Sequence, residues 1–245
     1  MNGFYGRILK INLSEKTYET EQIEDGIYER YLGGKGLASY LLFKLNPPGI
    51  DALHPDNCLI FATGPVAGSS IWGSSRYGVF TKSPQTGIYS ESYAGGKTPE
   101  AIDAAGYDAI VIQGGSSQPT VIQISPDGVQ FHEAGDLWGK NSYETEKGVI
   151  KRFSEKGERN TKVGAVVIGP ASENLVRFGV IKNDLWWSAG RTGVGTVMGA
   201  KRVKAILFQG DRSRPLADQK AVAKLSKKFA AISKENPGVN AYKTM

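Results

Sequence analysis

The stretch SAGRTGVGTVMGAKRVKAILFQG, Ser188–Gly210, decides how this chain is read. Its first dozen residues hold four glycines and Arg191, a small-residue segment follows, and an apolar run closes it. A glycine-rich turn that runs into a helix N-terminus is an anion site, because free N–H groups and the helix dipole point outward there. Glycine also serves tight turns that hold nothing, so the surrounding chain has to choose. Working outward, the closing run RVKAILFQG (Arg202–Gly210) has a twin in GYDAIVIQG (Gly106–Gly114), and the loop Ala189–Gly195 has one in Ala94–Gly96.

The likeness extends in order along both halves. RILKINLSEKTYETEQI (Arg7–Ile23) alternates with period two about a central turn, as does TVIQISPDGVQFHEA (Thr120–Ala134) with Pro126-Asp127-Gly128 as its turn. YLGGKGLASYLLFKL (Tyr31–Leu45) reads as a helix entered through glycines, matched by Asp136–Phe153 with Gly139-Lys140 against Gly34-Lys35. CLIFATGP ends at Gly64-Pro65 and GAVVIGP at Gly169-Pro170; SRYGVFTKS carries Arg76 where VRFGVIKND carries Arg177. The fold class is therefore α+β: a β-rich domain of two sheets with internal pseudo-twofold duplication, flanking helices and a C-terminal helix. The domain spans residues 1–210, with repeats over about 3–114 and 115–210. Residues 211–245 form the helical start of a following domain: Val222, Leu225, Phe229 and Ile232 make an apolar stripe, lysines cover the other face, and Pro237-Gly238 stops the helix. Equivalent loops of a duplicated unit converge on a shared axis, where a ligand can sit.

Composition narrows the function. Thirty-one glycines in 245 residues, with no collagen-like period, imply many turns and close approaches of backbone. The net charge of +6 suits a small polyanion or an acidic partner. Lysines and arginines are dispersed and no nucleic-acid module is legible, so nucleic acid is not expected. Cys58, the one cysteine, lies in an apolar run and reads as a buried inert thiol, which excludes an intramolecular disulfide. Met1–Lys10 shows no apolar leader and no run approaches a membrane span, so a cytoplasmic protein without membrane contact is expected. His54 and His132 read as surface or structural residues, and no metal-ligand spacing or nucleophile elbow occurs. Glu91, Asp103 and Asp108 near the first glycine loop read as solvated or capping carboxylates.

What remains is a ligand cradle made of Arg76, the Ser90–Gly96 loop and Ala189–Thr196 with Arg191. Arginine offers a phosphate two parallel hydrogen bonds and keeps its charge. Glycine lets the phosphate reach main-chain N–H groups. The pattern is neither a Rossmann nor a Walker motif.

The segments GFYGRILKINLSE, YLGGKGLASYLL, PDNCLIFATGPVAGS, SSRYGVFTKSPQTG, AGYDAIVIQG, IGPASENLVRFGVIKND and AGRTGVGTVMGAKRVKAI together resemble the N-terminal domain of the tungsten-containing aldehyde ferredoxin oxidoreductases, collinearly over residues 3–210. The resemblance implies a two-sheet base for a bis-pterin cofactor carrying tungsten (or molybdenum), its two phosphates linked through magnesium. It also implies oxidation of aldehydes to carboxylic acids, with electrons leaving through a [4Fe-4S] cluster to ferredoxin. Carried over by position, it assigns cofactor contacts to Arg76, Tyr93, Gly95, Gly96, Arg191, Thr192, Val194 and Gly195, and no catalytic or metal-ligating residue to this chain. Two positions depart from the family pattern: Tyr93-Ala94 stands where Asn-Ser is common, and Thr192 where glycine is common.

One cysteine cannot supply the four thiolates of a [4Fe-4S] cluster. The expectation is thus part of an oxidoreductase, a truncated product or one subunit of a split enzyme, inactive alone and completed by further domains or a complementary subunit. Ferredoxin and an aldehyde are its expected partners, and a homodimer is left open. The rival readings are a non-enzymatic module for a pterin or phosphorylated ligand, or an assembly subunit, and a purely structural subunit.

Overall fold

The computed structural model describes residues 1–154 and 160–243. Two six-stranded sheets organise it. The first contains β1 (Arg7–Asn12), β2 (Thr17–Gln22), β3 (Leu59–Thr63), β4 (Tyr77–Lys82), β5 (Tyr89–Ala94) and β6 (Ala109–Gln113), in the order β2-β1-β6-β3-β4-β5. The second contains β7 (Thr120–Ser125), β8 (Gly128–Glu133), β9 (Lys162–Val167), β10 (Ile181–Asn183), β11 (Trp187–Ala189) and β12 (Val203–Gly210), in the order β8-β7-β12-β9-β10-β11. Adding six to every label of the first order gives the second. Each sheet has one parallel pair, β1 with β6 and β7 with β12, and its other pairs are antiparallel. The duplication read from the sequence is a duplication of sheet topology.

The helices are α1 (Asp25–Tyr31), α2 (Lys35–Leu45), α3 (Thr98–Ala104), α4 (Ser142–Phe153), α5 (Pro170–Glu173), α6 (Val194–Ala200), α7 (Gln219–Glu235) and α8 (Pro237–Lys243). The sheets face each other across a core that includes Leu9, Phe61, Tyr77 and Ile110 from one and Ile122, Val166, Ile206 and Phe208 from the other. Ala101 and Ile102 of α3 and Val194, Val197 and Met198 of α6 lie in that same layer. The outer face of the first sheet is covered by Leu37, Ala38, Leu41 and Leu42 of α2, and that of the second by Val149 of α4. Near-continuous apolar runs such as LIFAT and VKAILFQG follow from strands buried on both faces.

Several expectations change in detail. The helix expected over Tyr31–Leu45 starts at Lys35, and α1 precedes it. The break falls where Leu32 and Gly34 are left-handed, and a Cβ at Gly36 would lie 1.7 Å from the Tyr31 carbonyl oxygen. Pro237 stops α7 and then opens α8, since proline fits the first turn of a helix. Asp218 caps α7 by accepting from Ala221 N–H at 2.8 Å, yet no residue of α7 is buried.

The equivalence of Arg76 with Arg177 does not hold. Gly78 lies opposite Ala62, and Lys182 opposite Val167; Ala62 and Val167 in turn face Ala109 and Ala205 at the same step of β6 and β12. Register therefore equates Gly78 with Lys182, and Arg76 with Val180. Arg177 sits in the turn after α5, where the second half reaches its strand three residues later than the first.

Asp103 and Asp108 are neither solvated nor helix caps. Both are buried and paired with the buried guanidinium of Arg214, Asp103 at 2.6 Å from Nε. Asp108 also accepts from Gly6 N–H and the Tyr28 hydroxyl, at 2.9 and 2.7 Å. This network fastens the segment after β12 to the start of the chain, where Gly3 donates to Pro215 O. Glu91 is salt-bridged to Lys35 at 2.9 Å on the opposite side of the first sheet.

Candidate functional site

The two glycine loops come together along one sheet edge, through contacts that run both ways between the halves. From the second half, Asn183 Nδ2 donates to Gly95 O at 2.8 Å, and the Asp184 carboxylate accepts from Lys97 and Thr98 N–H at 2.7 and 2.8 Å. The Trp187 indole lies against the first loop: a Cβ at Gly95 or at Gly96 would approach its ring to 2.9 Å. From the first half, Ser92 Oγ on β5 accepts from Arg191 N–H at 3.0 Å, and Ser83 Oγ donates to Thr192 O at 2.7 Å.

Arg76 reaches this edge from the residue before β4, with its guanidinium 5.4 Å from the Trp187 ring centroid, a cation–π distance. Arg191 is exposed on the second loop. Among the described residues neither arginine has a carboxylate within ion-pair distance, whereas Arg152 and Arg214 both do. Thr192 is left-handed (φ 62°), followed by left-handed Gly193, and this turn starts α6. Val194 and Gly195 are buried in α6, with Gly195 N–H donating to Gly179 O at 3.0 Å. A Cβ at Gly195 would fall 2.3 Å from Val180 O, so this glycine serves the packing of α6 on the β10 segment.

Of the expected residues, Arg76, Gly95, Gly96, Arg191 and Thr192 share the edge. Val194 and Gly195 lie beneath it. The Tyr93 side chain is turned away, because alternate residues of a strand face opposite sides. Its ring meets Phe80 edge-on and its hydroxyl donates to Glu91 at 3.1 Å, on the face covered by α2. Burial and the bond to Glu91 push the phenol well above its ordinary range.

The first loop also differs from the expected cradle. The leading N–H groups of α3 are taken by Asp184, and Gly95 O and Gly96 O by Asn183 and Ser75. Its glycines make room for Trp187 and Asp184. Asn183, Asp184 and Trp187 were not singled out in the sequence. Asp184 opens the turn between β10 and β11, where aspartate is a favoured residue, and it was hidden by the register equating Arg76 with Arg177.

Cys58 and His132 sit as their sequence surroundings indicate. Cys58 is buried and its thiol is pushed up to about 11 by burial. His132 is bonded to Gln123 and stacked on Phe153, and burial lowers its pKa. No group of three or more His, Cys, Asp or Glu among the described residues is placed to hold a metal ion. No described helix is long and apolar enough to cross a membrane. A cleft of about 840 Å³ lies away from the loops, between Gly68–Ser70, Asp103 and the start of α7.

Two interlocked six-stranded sheets define a duplicated base, with two arginines that lack an ion-pair partner among the described residues where their glycine loops meet. The family model for the aldehyde ferredoxin oxidoreductase N-terminal domain matches residues 8–210, and the chain belongs to that family. It is 42% identical over 219 residues to the tungsten-containing aldehyde ferredoxin oxidoreductase of Pyrococcus furiosus, covering 89% of this chain and 35% of that protein. It is 29% identical to the aliphatic sulfonate oxidoreductase WOR-like subunit of the same organism, over 88% of this chain and 36% of the relative. Among solved structures, the BamBC active-site complex of benzoyl coenzyme A reductase with 1,5-dienoyl-CoA superposes with a TM-score of 0.89 at 31% identity. It covers 96% of this chain and 35% of that one. The chain thus spans about a third of the length of these relatives.

Proposed function

We propose that this chain is the cofactor-bearing N-terminal part of a tungsten bis-pterin oxidoreductase that oxidises aldehydes to carboxylic acids, with ferredoxin as electron acceptor. The observation that carries the reading is a pair of guanidiniums, Arg76 and Arg191, at one edge shared by the two halves, with no ion-pair partner among the described residues. A cofactor with two phosphates is a polyanion, and two arginines without internal carboxylates fit such a group. Arg76 and Arg191 would hold it, with Gly95, Gly96, Thr192, Val194 and Gly195 shaping the edge. When bound, the tungsten centre supplies the redox chemistry. The protein's part is to fix and neutralise the cofactor and to keep water from its buried side.

The Arg76 guanidinium lies over the Trp187 ring, a contact that would narrow its rotamers and favour turning its charge to the ligand. Arg191 is fixed at its backbone by Ser92 and keeps a free side chain. Magnesium would come with the cofactor, while a [4Fe-4S] cluster would need thiolates from other polypeptide, because this chain has one cysteine. The higher identity to the tungsten-containing aldehyde enzymes, 42% against 29–31%, favours aldehydes over sulfonates or aryl-CoA thioesters.

The test is Arg76→Ala and Arg191→Ala in the enzyme assembled with its remaining polypeptide, with tungsten and pterin measured per protein. Each change is expected to lower both at least five-fold, with aldehyde oxidation falling in proportion. Unchanged cofactor content in both variants defeats the reading in favour of a structural subunit. Tight binding of pterin phosphate by the 245-residue chain alone, with no carbonyl oxidation by the assembled protein, identifies a carrier instead.

A further inference from the structure

We infer that Asp184 is a positioning residue: its carboxylate, delivered by the β10–β11 turn of the second half, holds the first glycine loop in one shape. The inference rests on the reading that this loop borders the cofactor. One oxygen, Asp184 Oδ2, accepts three hydrogen bonds, from Lys97 N–H, Thr98 N–H and Asn183 Nδ2, at 2.7, 2.8 and 2.9 Å. Two of these are the first donors of α3, which have no partner inside the helix. The negative charge also complements the positive end of that helix. The same turn fixes the loop's other polarity, since Asn183 Nδ2 binds Gly95 O and Asn183 Oδ1 accepts from the buried Tyr77 hydroxyl at 3.0 Å.

The turn that delivers Asp184 is itself held under strain. Asp184 (φ 47°) and Leu185 (φ 61°) are consecutive left-handed residues, a conformation that leucine rarely adopts. Leu185 N–H is secured by the buried Glu146 carboxylate at 3.0 Å. Trp187, two residues further on, presses its ring on Gly95 and Gly96 and carries the Arg76 guanidinium on it. One hairpin of the second half therefore sets both the loop and the arginine of the first. Strained backbone that is over-determined by its neighbours commonly marks a site where placement matters.

The consequence is that disturbing Asp184 loosens cofactor retention without melting the sheets. In the 245-residue chain, Asp184→Ala is expected to speed amide hydrogen exchange at Lys97 and Thr98 at least ten-fold, with Ile60 and Phe61 in β3 unchanged. Asp184→Asn, which keeps an acceptor oxygen, is expected to stay within three-fold of the parent. In the loaded full-length enzyme, Asp184→Ala is expected to shorten the half-time of pterin loss on dilution at least five-fold, and Asp184→Asn to restore most of it. Unchanged exchange at Lys97 and Thr98 overturns the inference, as does faster exchange with unchanged pterin retention.

If Asp184→Ala does not accumulate, Tyr77→Phe removes the remote end of the same chain of bonds, and a two- to three-fold rise in exchange at Lys97 and Thr98 is the expected result. No rise overturns the inference. Failure of the cofactor reading is distinguishable, because Arg76→Ala and Arg191→Ala would then leave pterin content intact while the exchange result stands or falls by itself.

Discussion

At the start of the central strand of each sheet, the two halves place opposite charges. Asp108 precedes β6 and Lys204 falls at the equivalent step of β12, since Ala109 and Ala205 occupy the same register. Both are buried. Asp108 is met by Arg214, Tyr28 and two N–H groups, whereas Lys204 is met by Glu173 and the Lys140 carbonyl. The backbone duplicated, and each copy then solved the problem of a buried charge with partners of its own. The loops diverged in the same way. By register Gly95 matches Gly190, but Gly95 is covered by Trp187 while Gly190 is exposed, with Ser188 and Val180 no closer than 3.3 Å to an added Cβ. Shared topology thus fixes where the loops meet, and local side chains decide what each loop does.

The sharpest way to break this comparison is at the buried charges. Arg214→Ala strands Asp103 and Asp108 and should cost about 3–5 kcal/mol, read as a lower urea midpoint. Lys204→Met should fall toward the low end of that range, because Glu173 keeps the Gly139 N–H as a donor. Equal losses in both variants would mean that stranding two carboxylates costs no more than stranding one.

The loops give the next effect. Gly195→Ala drives a methyl into the Val180 carbonyl and should destabilise by about 1–3 kcal/mol. Gly95→Ala should fall in the same range against Trp187, while Gly190→Ala, its match by register, should stay within about 0.5 kcal/mol. A tolerated Gly95→Ala would mean that Trp187 is free to move.

A smaller effect follows from pH. Burial is the main cause that raises Glu146 above its ordinary 4.5, opposed by the N–H groups of Leu185 and Asp184. The folded state then holds a proton that the unfolded state has lost. Stability falls as pH rises from 4.5 through the folded pKa and is flat above it. Glu146→Gln should remove that slope from a stability-versus-pH series. The smallest change belongs to α7, where Phe229→Ser on an exposed face should shift stability by no more than about 0.5 kcal/mol.

Much of the fold was legible because strand period and glycine placement are local. The hairpins of β1–β2 and β7–β8, the Gly-Pro strand ends and the closing strands β6 and β12 all align as their residues indicate. The glycine-rich turn that holds Arg191 was legible as well, since residue types in short order are a local pattern. The contacts of Tyr93 with Phe80 and Glu91 were not legible, because facing depends on strand register. Arg177 was misaligned because identical letters, R-x-G-V, outweighed a three-residue shift that only pairing reveals. Asp184 and Trp187 were missed because their partners lie nearly ninety residues away along the chain.

The sequence by itself determined the duplicated topology and the family, since these depend on periodicity and on residue types in short order. Tertiary structure alone decided that the first loop's amides belong to Asp184, that Tyr93 faces away, and that Asp108 and Lys204 are buried with different partners. The physical reason is the same each time. Hydrogen bonds and close contacts are made at a few ångströms in space, and a chain folded into two facing sheets brings together residues that no local pattern joins.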